Sequence, residues 1–232
     1  MQIKTKKLIL VDKKYEAENI VSLIFKTSNK DPYIYLAGQY VSVYLFGLTY
    51  PKSYTISSSP KEKLVTLTIK KIGNFSTALY YLNIGDSIKV EGPYGDFYPK
   101  IEDNCVFLAS GIGVTPFISI IKDRLEKTGA ERTSLFYSNK TFLDIAFFDL
   151  LNKIKSDGGL STLVYFLTQQ EKTNPLVKEY NRMNTGLIKK YIKSFKNKSF
   201  YICGSISFVN DMLKNLKESG VPENFIFTES FY

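Results

Sequence analysis

The sequence predicts a β plus α/β chain, an antiparallel β half over residues 1–99 followed by a parallel-sheet α/β half over residues 100–232. Up to about residue 98, short runs alternate apolar and polar residues with period two between Gly, Pro, Asn and Ser, as half-buried antiparallel strands do. Beyond Tyr98 the rhythm becomes apolar runs of five or six residues, each followed by a longer helical pattern. Such alternation implies crossovers and central strands buried on both faces. With 232 residues and 44% hydrophobic content, the chain is long enough to bury a core as one large domain or two small ones.

Within the first half, Val41, Val43 and Leu45 alternate with Tyr40, Ser42 and Tyr44. Val65, Leu67 and Ile69 alternate with Thr66, Thr68 and Lys70, and Ile88 and Val90 with Lys89 and Glu91. Each set marks one face of a strand, since successive side chains point to opposite sides. One short helix is expected at Ser76–Leu82. In the second half, Cys105–Ala109 precedes a helix over Pro116–Lys127, Ser134–Tyr137 precedes one near Asp144–Lys155, and Leu163–Leu167 is the next strand. Phe200–Cys203 leads to a helix over Phe208–Ser219, and Phe225–Phe227 closes the chain. No long linker, repeat or low-complexity tract separates the halves.

The chain holds no histidine and two cysteines. That removes Ser-His-Asp and Cys-His nucleophilic chemistry, His-ligated zinc or haem, and four-cysteine zinc or iron-sulfur sites. No metal is expected. The formal charge is +9, from 31 Lys and Arg against 22 Asp and Glu. The lysines are scattered, crowding only at Lys4, Lys6, Lys7, Lys13 and Lys14 and again at Lys189, Lys190, Lys193, Lys196 and Lys198. A solvated surface or an acidic protein partner accounts for them, and no nucleic-acid partner is expected.

Two stretches, residues 33–51 and 104–121, carry no charged side chain over nearly the length a bilayer needs. The first contains Gly38, Gln39, Ser42 and Gly47 and follows a strand period; the second is broken by Gly111, Gly113 and Pro116. Leu8–Val11 is too short for the apolar stretch of a signal peptide. No membrane insertion and a cytoplasmic location are therefore expected.

The strongest local signal is Ser110-Gly111-Ile112-Gly113-Val114-Thr115-Pro116. A buried strand ends, two glycines permit a tight turn, Thr115 is placed to cap, and Pro116 suits a first helical position. A helix start of this kind favours a phosphate by about 0.3–1 kcal/mol per charge, with free amides adding direct bonds. The bland alternative is a turn that binds nothing. The third glycine of the usual dinucleotide fingerprint is absent, and Ser138, Asn139 and Lys140 stand where an acidic ribose contact is usual.

Taken in order, eight segments resemble the ferredoxin-NADP reductase family of flavin-dependent electron-transfer modules. They are Gly38-Gln39-Tyr40, Lys52-Ser53-Tyr54-Thr55, Gly73-Asn74-Phe75-Ser76 followed by Leu79, Gly92-Pro93-Tyr94-Gly95-Asp96-Phe97, the Gly111–Pro116 turn, Tyr137-Ser138-Asn139-Lys140-Thr141, Cys203-Gly204-Ser205 and Glu229-Ser230-Phe231. The resemblance implies a Greek-key flavin barrel over residues 1–99 and a nicotinamide-binding domain over residues 100–232. It also implies FAD as cofactor and NADH or NADPH as substrate. Lys52, Ser53, Tyr54, Thr55, Lys70, Gly73, Asn74, Phe75, Ser76 and Thr77 would hold the flavin. Gly111, Gly113, Val114, Thr115, Pro116, Ser138, Asn139, Lys140, Cys203 and Gly204 would hold the nicotinamide cofactor, with Phe231 or Tyr232 covering the flavin face. Thr55, Cys203 and Glu229 are the expected catalytic residues, whereas Cys105 reads as core.

One departure is Lys52, where the family usually has arginine; it keeps the charge but loses the planar fork that grips phosphate bidentately. FMN thus becomes an alternative, although the Gly73–Ser76 segment, as a second phosphate contact, favours FAD. The implied activity passes electrons from a reduced nicotinamide through FAD to a separate acceptor, either an acidic ferredoxin or flavodoxin or a small molecule. A non-catalytic subunit retaining the fold is the alternative. Lys140 would suit a 2′-phosphate, yet the run from Asn139 through Asp144 resembles NADH-using members, and the balance tips slightly to NADH.

Overall fold

The computed structural model describes residues 5–29, 31–45, 47–100, 103–127, 132–170 and 174–231. Its first sheet contains β1 (Lys6–Ala17), β2 (Ile20–Thr27), β3 (Tyr40–Tyr44), β4 (Lys52–Thr55), β5 (Val65–Lys70) and β6 (Ser87–Tyr94), with helix α1 (Asn74–Tyr80) between the last two. The strands run in the order β4-β3-β6-β1-β2-β5, each pair antiparallel. A bridge from Ile56 to Leu67 joins the chain just beyond β4 to β5, so the sheet curls into a barrel. The period-two residues fill it: Val41, Val43, Val65, Leu67, Ile69, Ile88 and Val90 all belong to one buried cluster. The long β1 absorbs its curvature in two register shifts, between Leu10 and Asp12 and between Tyr15 and Ala17.

The second sheet is parallel throughout, in the order β11-β10-β7-β8-β9, from β7 (Cys105–Ser110), β8 (Thr133–Asn139), β9 (Thr162–Leu167), β10 (Ser199–Ser205) and β11 (Ile226–Phe231). Helices α2 (Thr115–Lys127) and α3 (Phe148–Ser156) pack on one face and α4 (Thr185–Lys189) and α5 (Ile206–Glu218) on the other. Alternate residues of β7 serve the two cores, Phe107 and Ala109 facing α2 and Val106 and Leu108 facing α5. This is the two-sided burial that the continuous apolar runs predicted. Among the described residues no helix is long and apolar enough to cross a membrane.

Element ends differ from the sequence reading for local reasons. Helix α1 begins at Asn74 rather than Ser76 because the Ser76 hydroxyl turns back, accepting from the Ile72 and Gly73 amides. The helix expected from Asp144 is split: Phe142–Asp144 forms a single turn, and Phe147 adopts a left-handed conformation (φ 60°) before α3 starts. At the chain's end, Phe225 lies in a turn at Glu223–Phe225, and the strand runs Ile226–Phe231. Helix α4, five residues long and containing Gly186, carries too little periodicity to be read.

The two lobes meet along α2 and the start of α3. Ile20, Ala37 and Phe97 of the barrel side enter the core beneath α2, and Ser119 Oγ donates to the Ser58 carbonyl at 2.6 Å. Buried Arg124 pins the connecting segment, donating from Nη1 to the Lys100 carbonyl (2.9 Å), from Nη2 to the Asp103 carbonyl (2.8 Å) and from Nε to Thr133 Oγ1 (3.0 Å). Nearer the cleft, Lys70 Nζ pairs with Asp144 Oδ1 at 3.3 Å and the Glu18 amide donates to the Leu143 carbonyl at 3.1 Å. These contacts fix the angle at which the end of the barrel faces the carboxyl edge of the parallel sheet.

Candidate functional site

A cavity of about 720 Å³ opens where β5 meets the carboxyl ends of the parallel strands. Such a crevice is where ligands bind in open α/β sheets. Its floor is the turn after β7, Ser110, Gly111 and Ile112; one side is Ser138, Asn139 and Lys140 at the tip of β8, and another is Gly204, Ser205 and Ser207 after β10. Lys70 and Ile72 close it from the barrel, and Phe231 stands at one end.

The glycine turn divides its labour differently from the sequence reading. Gly111 has φ +52° and open space where a Cβ would be, so its backbone is what the cavity meets. At Gly113 a Cβ would lie 2.6 Å from the Cys203 carbonyl carbon and 2.7 Å from Gly204 Cα; this glycine lets β10 pass close by. The expected capping role of Thr115 is corrected: its hydroxyl is buried and donates to the Ile112 carbonyl at 3.0 Å. Residues 111–114 form a tight 3-10 turn that runs directly into α2, so no separate cap is needed. Val114, Thr115 and Pro116 are buried beneath the cavity floor and are not among its wall residues.

On the barrel, β4 is an edge strand of the sheet that pairs with β3. Lys52 and Ser53 are exposed and Tyr54 is half-buried, its ring stacked on Phe75 of α1 with centroids 6.1 Å apart and planes 26° apart. Burial pushes the Tyr54 hydroxyl up to about 12, which keeps the ring neutral. Thr55 is buried, and its Oγ1 has no hydrogen-bond partner. A buried hydroxyl of this kind costs about 1–3 kcal/mol unless a ligand meets it. An aromatic pair beside an orphaned hydroxyl, with the helix start Gly73–Thr77 close by, fits a ring system that carries both a polar edge and phosphates. The family-implied FAD therefore matches the residues present.

Where β10 and β11 end, Cys203 pairs in register with Glu229. Burial, then the Glu229 charge, pushes the Cys203 thiol well up, so it is a neutral, buried group behind Gly204 and not a thiolate. Burial, with a contribution from Asp96, raises the Glu229 carboxyl to about 7. Its Oε1 lies beside Gly95, which in turn packs against the Tyr40 ring; Tyr40 is the register partner of Thr55. Strand pairing and turn packing thus link Thr55 to Glu229 and Cys203 through Tyr40 and Gly95, although none of the three is among the cavity's wall residues.

The cavity wall gathers Lys70, Gly111, Ser138, Asn139, Lys140, Gly204 and Phe231 from the sequence-derived set. Lys52–Thr55 and Gly73–Thr77 lie on the barrel outside that wall, and Tyr232 falls outside the described residues. Wall residues that the sequence reading missed include Ile72, Thr168, Arg182, Met183 and Ser207. Ser207 lies just past the Cys-Gly motif and was within reach of that signal. Arg182 sits in an irregular run before α4, with no periodicity to announce it.

Comparison with known proteins agrees with this architecture. The oxidoreductase FAD-binding domain family matches residues 7–98 and the oxidoreductase NAD-binding domain family residues 107–214. A flavohemoprotein of Bacillus subtilis is 25% identical over 236 residues, covering 97% of this chain and 59% of the relative. The reductase component of propane 2-monooxygenase from Mycolicibacterium goodii is 24% identical over 228 residues, covering 93% of this chain and 64% of its own length. The chain thus spans about six-tenths of the curated relatives it matches. Among solved structures, the FAD/NAD-binding domain of a Vibrio cholerae nitric oxide dioxygenase superposes with a TM-score of 0.86 at 22% identity, covering 97% of this chain and 98% of that one. A ferredoxin NADP+ reductase from Neisseria gonorrhoeae gives a TM-score of 0.80 at 19% identity over 99% and 98%. With an oxidoreductase FAD-binding domain matched over the barrel and an oxidoreductase NAD-binding domain over the parallel sheet, the chain belongs to the ferredoxin-NADP reductase-like family of two-domain oxidoreductases.

Proposed function

We propose that this chain moves a hydride from NAD(P)H to FAD and passes the electrons to a separate acceptor, its two working halves meeting near residues 99 and 100. The observation that supports this best is the cavity walled from both lobes, Lys70 and Ile72 on one side and the Gly111 turn on the other. Bound FAD supplies a centre that accepts two electrons together and releases them singly. The protein's part is alignment, which accounts for a site without histidine.

Tyr54 and Phe75 would hold the flavin ring by stacking, and Thr55 would offer it a hydroxyl that has no partner in the protein. Lys52, Ser53 and, within the Gly73–Thr77 segment, the amides of Asn74, Phe75 and Ser76 would take the flavin phosphates, those of Gly73 and Thr77 being engaged by Ser76 Oγ and the Gly73 carbonyl. Gly111 brings backbone up to the nicotinamide cofactor's pyrophosphate, while Gly113, Val114, Thr115 and Pro116 hold that turn against β10. Ser138, Asn139 and Lys140 take the adenosine side. Neutral Cys203, with Gly204, shapes the pocket for the nicotinamide ring. Glu229, titrating near neutrality, can hold or give up a proton at its Oε atoms. Phe231, at the end of β11 and on the cavity wall, would cover the flavin ring when no nicotinamide is bound.

The purified protein reconstituted with FAD should be yellow and should bleach when NAD(P)H is added without oxygen. A colourless protein that takes up neither FAD nor FMN would overturn the reading and favour a non-catalytic subunit. For the acceptor, the +9 charge favours an acidic carrier of the ferredoxin or flavodoxin type, and relatives named as reductase or electron-transfer components of oxygenases point the same way. Reduction of such a carrier should slow several-fold as ionic strength rises through about 0.1 M, because surface attraction is screened over about 10 Å there. A salt-independent rate would dismiss charge as the basis of partner choice.

A further inference from the structure

We propose that the basic surface formed by α4 and the segment after it docks this protein on an anionic phospholipid membrane. Residues 174–200 hold six lysines and one arginine against a single acid, Glu179, and so carry +6 of the chain's +9. Glu179 is buried and already engaged, accepting from Lys190 Nζ at 3.2 Å and from the Tyr191 hydroxyl at 2.8 Å. Arg182 is paired with Asp211 at 2.6 Å. Lys178, Lys189, Lys193, Lys196 and Lys198 have no carboxylate of the described residues within ion-pair distance, and all but the half-buried Lys198 are exposed.

Local folding holds these cations together. The turn that continues α4 is closed by the Tyr191 and Ile192 amides, each donating to the Ile188 carbonyl at 3.0 Å, and it buries Ile188 and Ile192 in the core with Phe136 and Phe200. With the apolar residues turned inward, the lysines between and after them are left in solvent. Phe195 packs edge-on against Phe200, centroids 5.1 Å apart, and Lys189 Nζ lies 5.4 Å from the Phe195 ring centre. Through the contacts to Glu179 the surface continues to Lys178 and to exposed Leu176, on the turn that the Val177 amide closes on the Asn174 carbonyl. None of the five lysines is among the cavity's wall residues. Lys198 immediately precedes β10, whose far end, Gly204 and Ser205, lines the cavity. The length of that strand puts about 20 Å between them.

The residue types decide which polyanion this surface fits. A lysine ammonium is a hydrated point charge without the planar fork that grips one phosphate bidentately, which suits a diffuse field of headgroups. Protein interfaces are depleted in lysine and enriched in arginine and aromatic anchors. Here the five cations without a carboxylate are all lysine, and no aromatic ring of residues 174–200 is exposed. A nucleic-acid strand needs rings on which its bases can stack, whereas Phe195 is held against Phe200 with Lys189 over it. Leu176, 52% exposed, is the one large apolar side chain that this segment leaves in water. On a membrane it would enter the boundary between headgroups and acyl chains.

Sedimentation of the full chain with lipid vesicles tests this. At low salt the protein should pellet with phosphatidylcholine vesicles containing about 30% phosphatidylserine and stay in solution with phosphatidylcholine alone, and partitioning should fall at least about tenfold as salt rises to about 0.5 M. Combining Lys193→Gln, Lys196→Gln and Lys198→Gln should lower partitioning at least about tenfold with the parent's melting curve retained. Combining Lys7→Gln, Lys26→Gln and Lys89→Gln removes equal charge from exposed positions on the barrel, and should lower it less than about threefold. No pelleting with the anionic vesicles overturns the proposal, and so do equal losses in the two triple variants, which would reduce the effect to net charge. A mobility shift of single-stranded DNA that outlasts vesicle binding as salt rises overturns it too, in favour of a nucleic-acid surface. None of these measurements needs flavin or nicotinamide, so the reductase reading stands or falls separately.

Discussion

Gly113→Ala should lower the melting temperature by about 6–12 °C, whereas Gly111→Ala, two residues earlier, should move it by only about 2–4 °C. The difference follows from what each missing Cβ would meet. At position 113 the methyl would press on the main chain of β10, 2.6 Å from the Cys203 carbonyl carbon and 2.7 Å from Gly204 Cα. Backbone in a central strand cannot step aside. Cys203 is in ladder register with Ala109 on one side and Glu229 on the other, so relief at one contact disturbs two strand pairs. Overpacking of this kind costs about 3 kcal/mol, the upper part of its usual range. At position 111 the methyl enters open cavity, and the cost is the left-handed backbone at φ +52°, about 1 kcal/mol. Circular dichroism melts of the two variants beside the parent protein decide it; equal shifts would refute the assignment of Gly113 to packing. Because the Gly111 methyl would enter the cavity proposed for the nicotinamide cofactor, that variant should also weaken NAD(P)H binding while staying folded.

The same contrast shows what a sequence can and cannot reveal. Both glycines are visible in the Gly-x-Gly spacing, and the turn itself follows from a buried strand running into a helix. Which glycine faces the ligand depends on β10, some ninety residues further along the chain, and no local pattern encodes that approach. Thr115 failed as a cap for a related reason: the 3-10 turn before it already continues into α2. The barrel and the parallel sheet were legible because periods of two and continuous apolar runs report directly on one-sided and two-sided burial. Arg182 was not, since it reaches the cavity from an irregular segment whose course is set by packing of Met183 and Ile188 against β8 and β9. The raised Glu229 carboxyl was equally hidden. Its position in a terminal motif could be read, but its burial and its proximity to Asp96 exist only once β11 lies beside β10 and the 94–97 turn folds over it.

That carboxyl leads to a pH-dependent result: the flavin-free Glu229→Gln variant should match the parent in stability near pH 4 and exceed it by up to about 3 kcal/mol at pH 8. The folded carboxyl titrates near 7 against an ordinary value of 4.5, so the native state holds its proton more tightly than the unfolded chain. A raised value of this kind favours folding fully below about 4.5, and the advantage drains away as pH climbs through 7. Above that, the native state must carry a charge that is half-buried and faces Asp96, whereas glutamine carries none. Urea unfolding at pH 4, 6 and 8 measures the crossover. A gap that is the same at all three values would mean that the substitution acts through packing or hydrogen bonding and that Glu229 does not titrate in this range. Asp96→Asn supplies an independent check, because removing the neighbouring charge should lower the Glu229 midpoint without touching its burial. In the FAD-loaded protein, the rate of flavin reduction by NAD(P)H should follow the same proton: a dependence on pH centred near 7 in the parent should flatten in Glu229→Gln. If it persists unchanged, the proton that matters belongs to another group in the cleft.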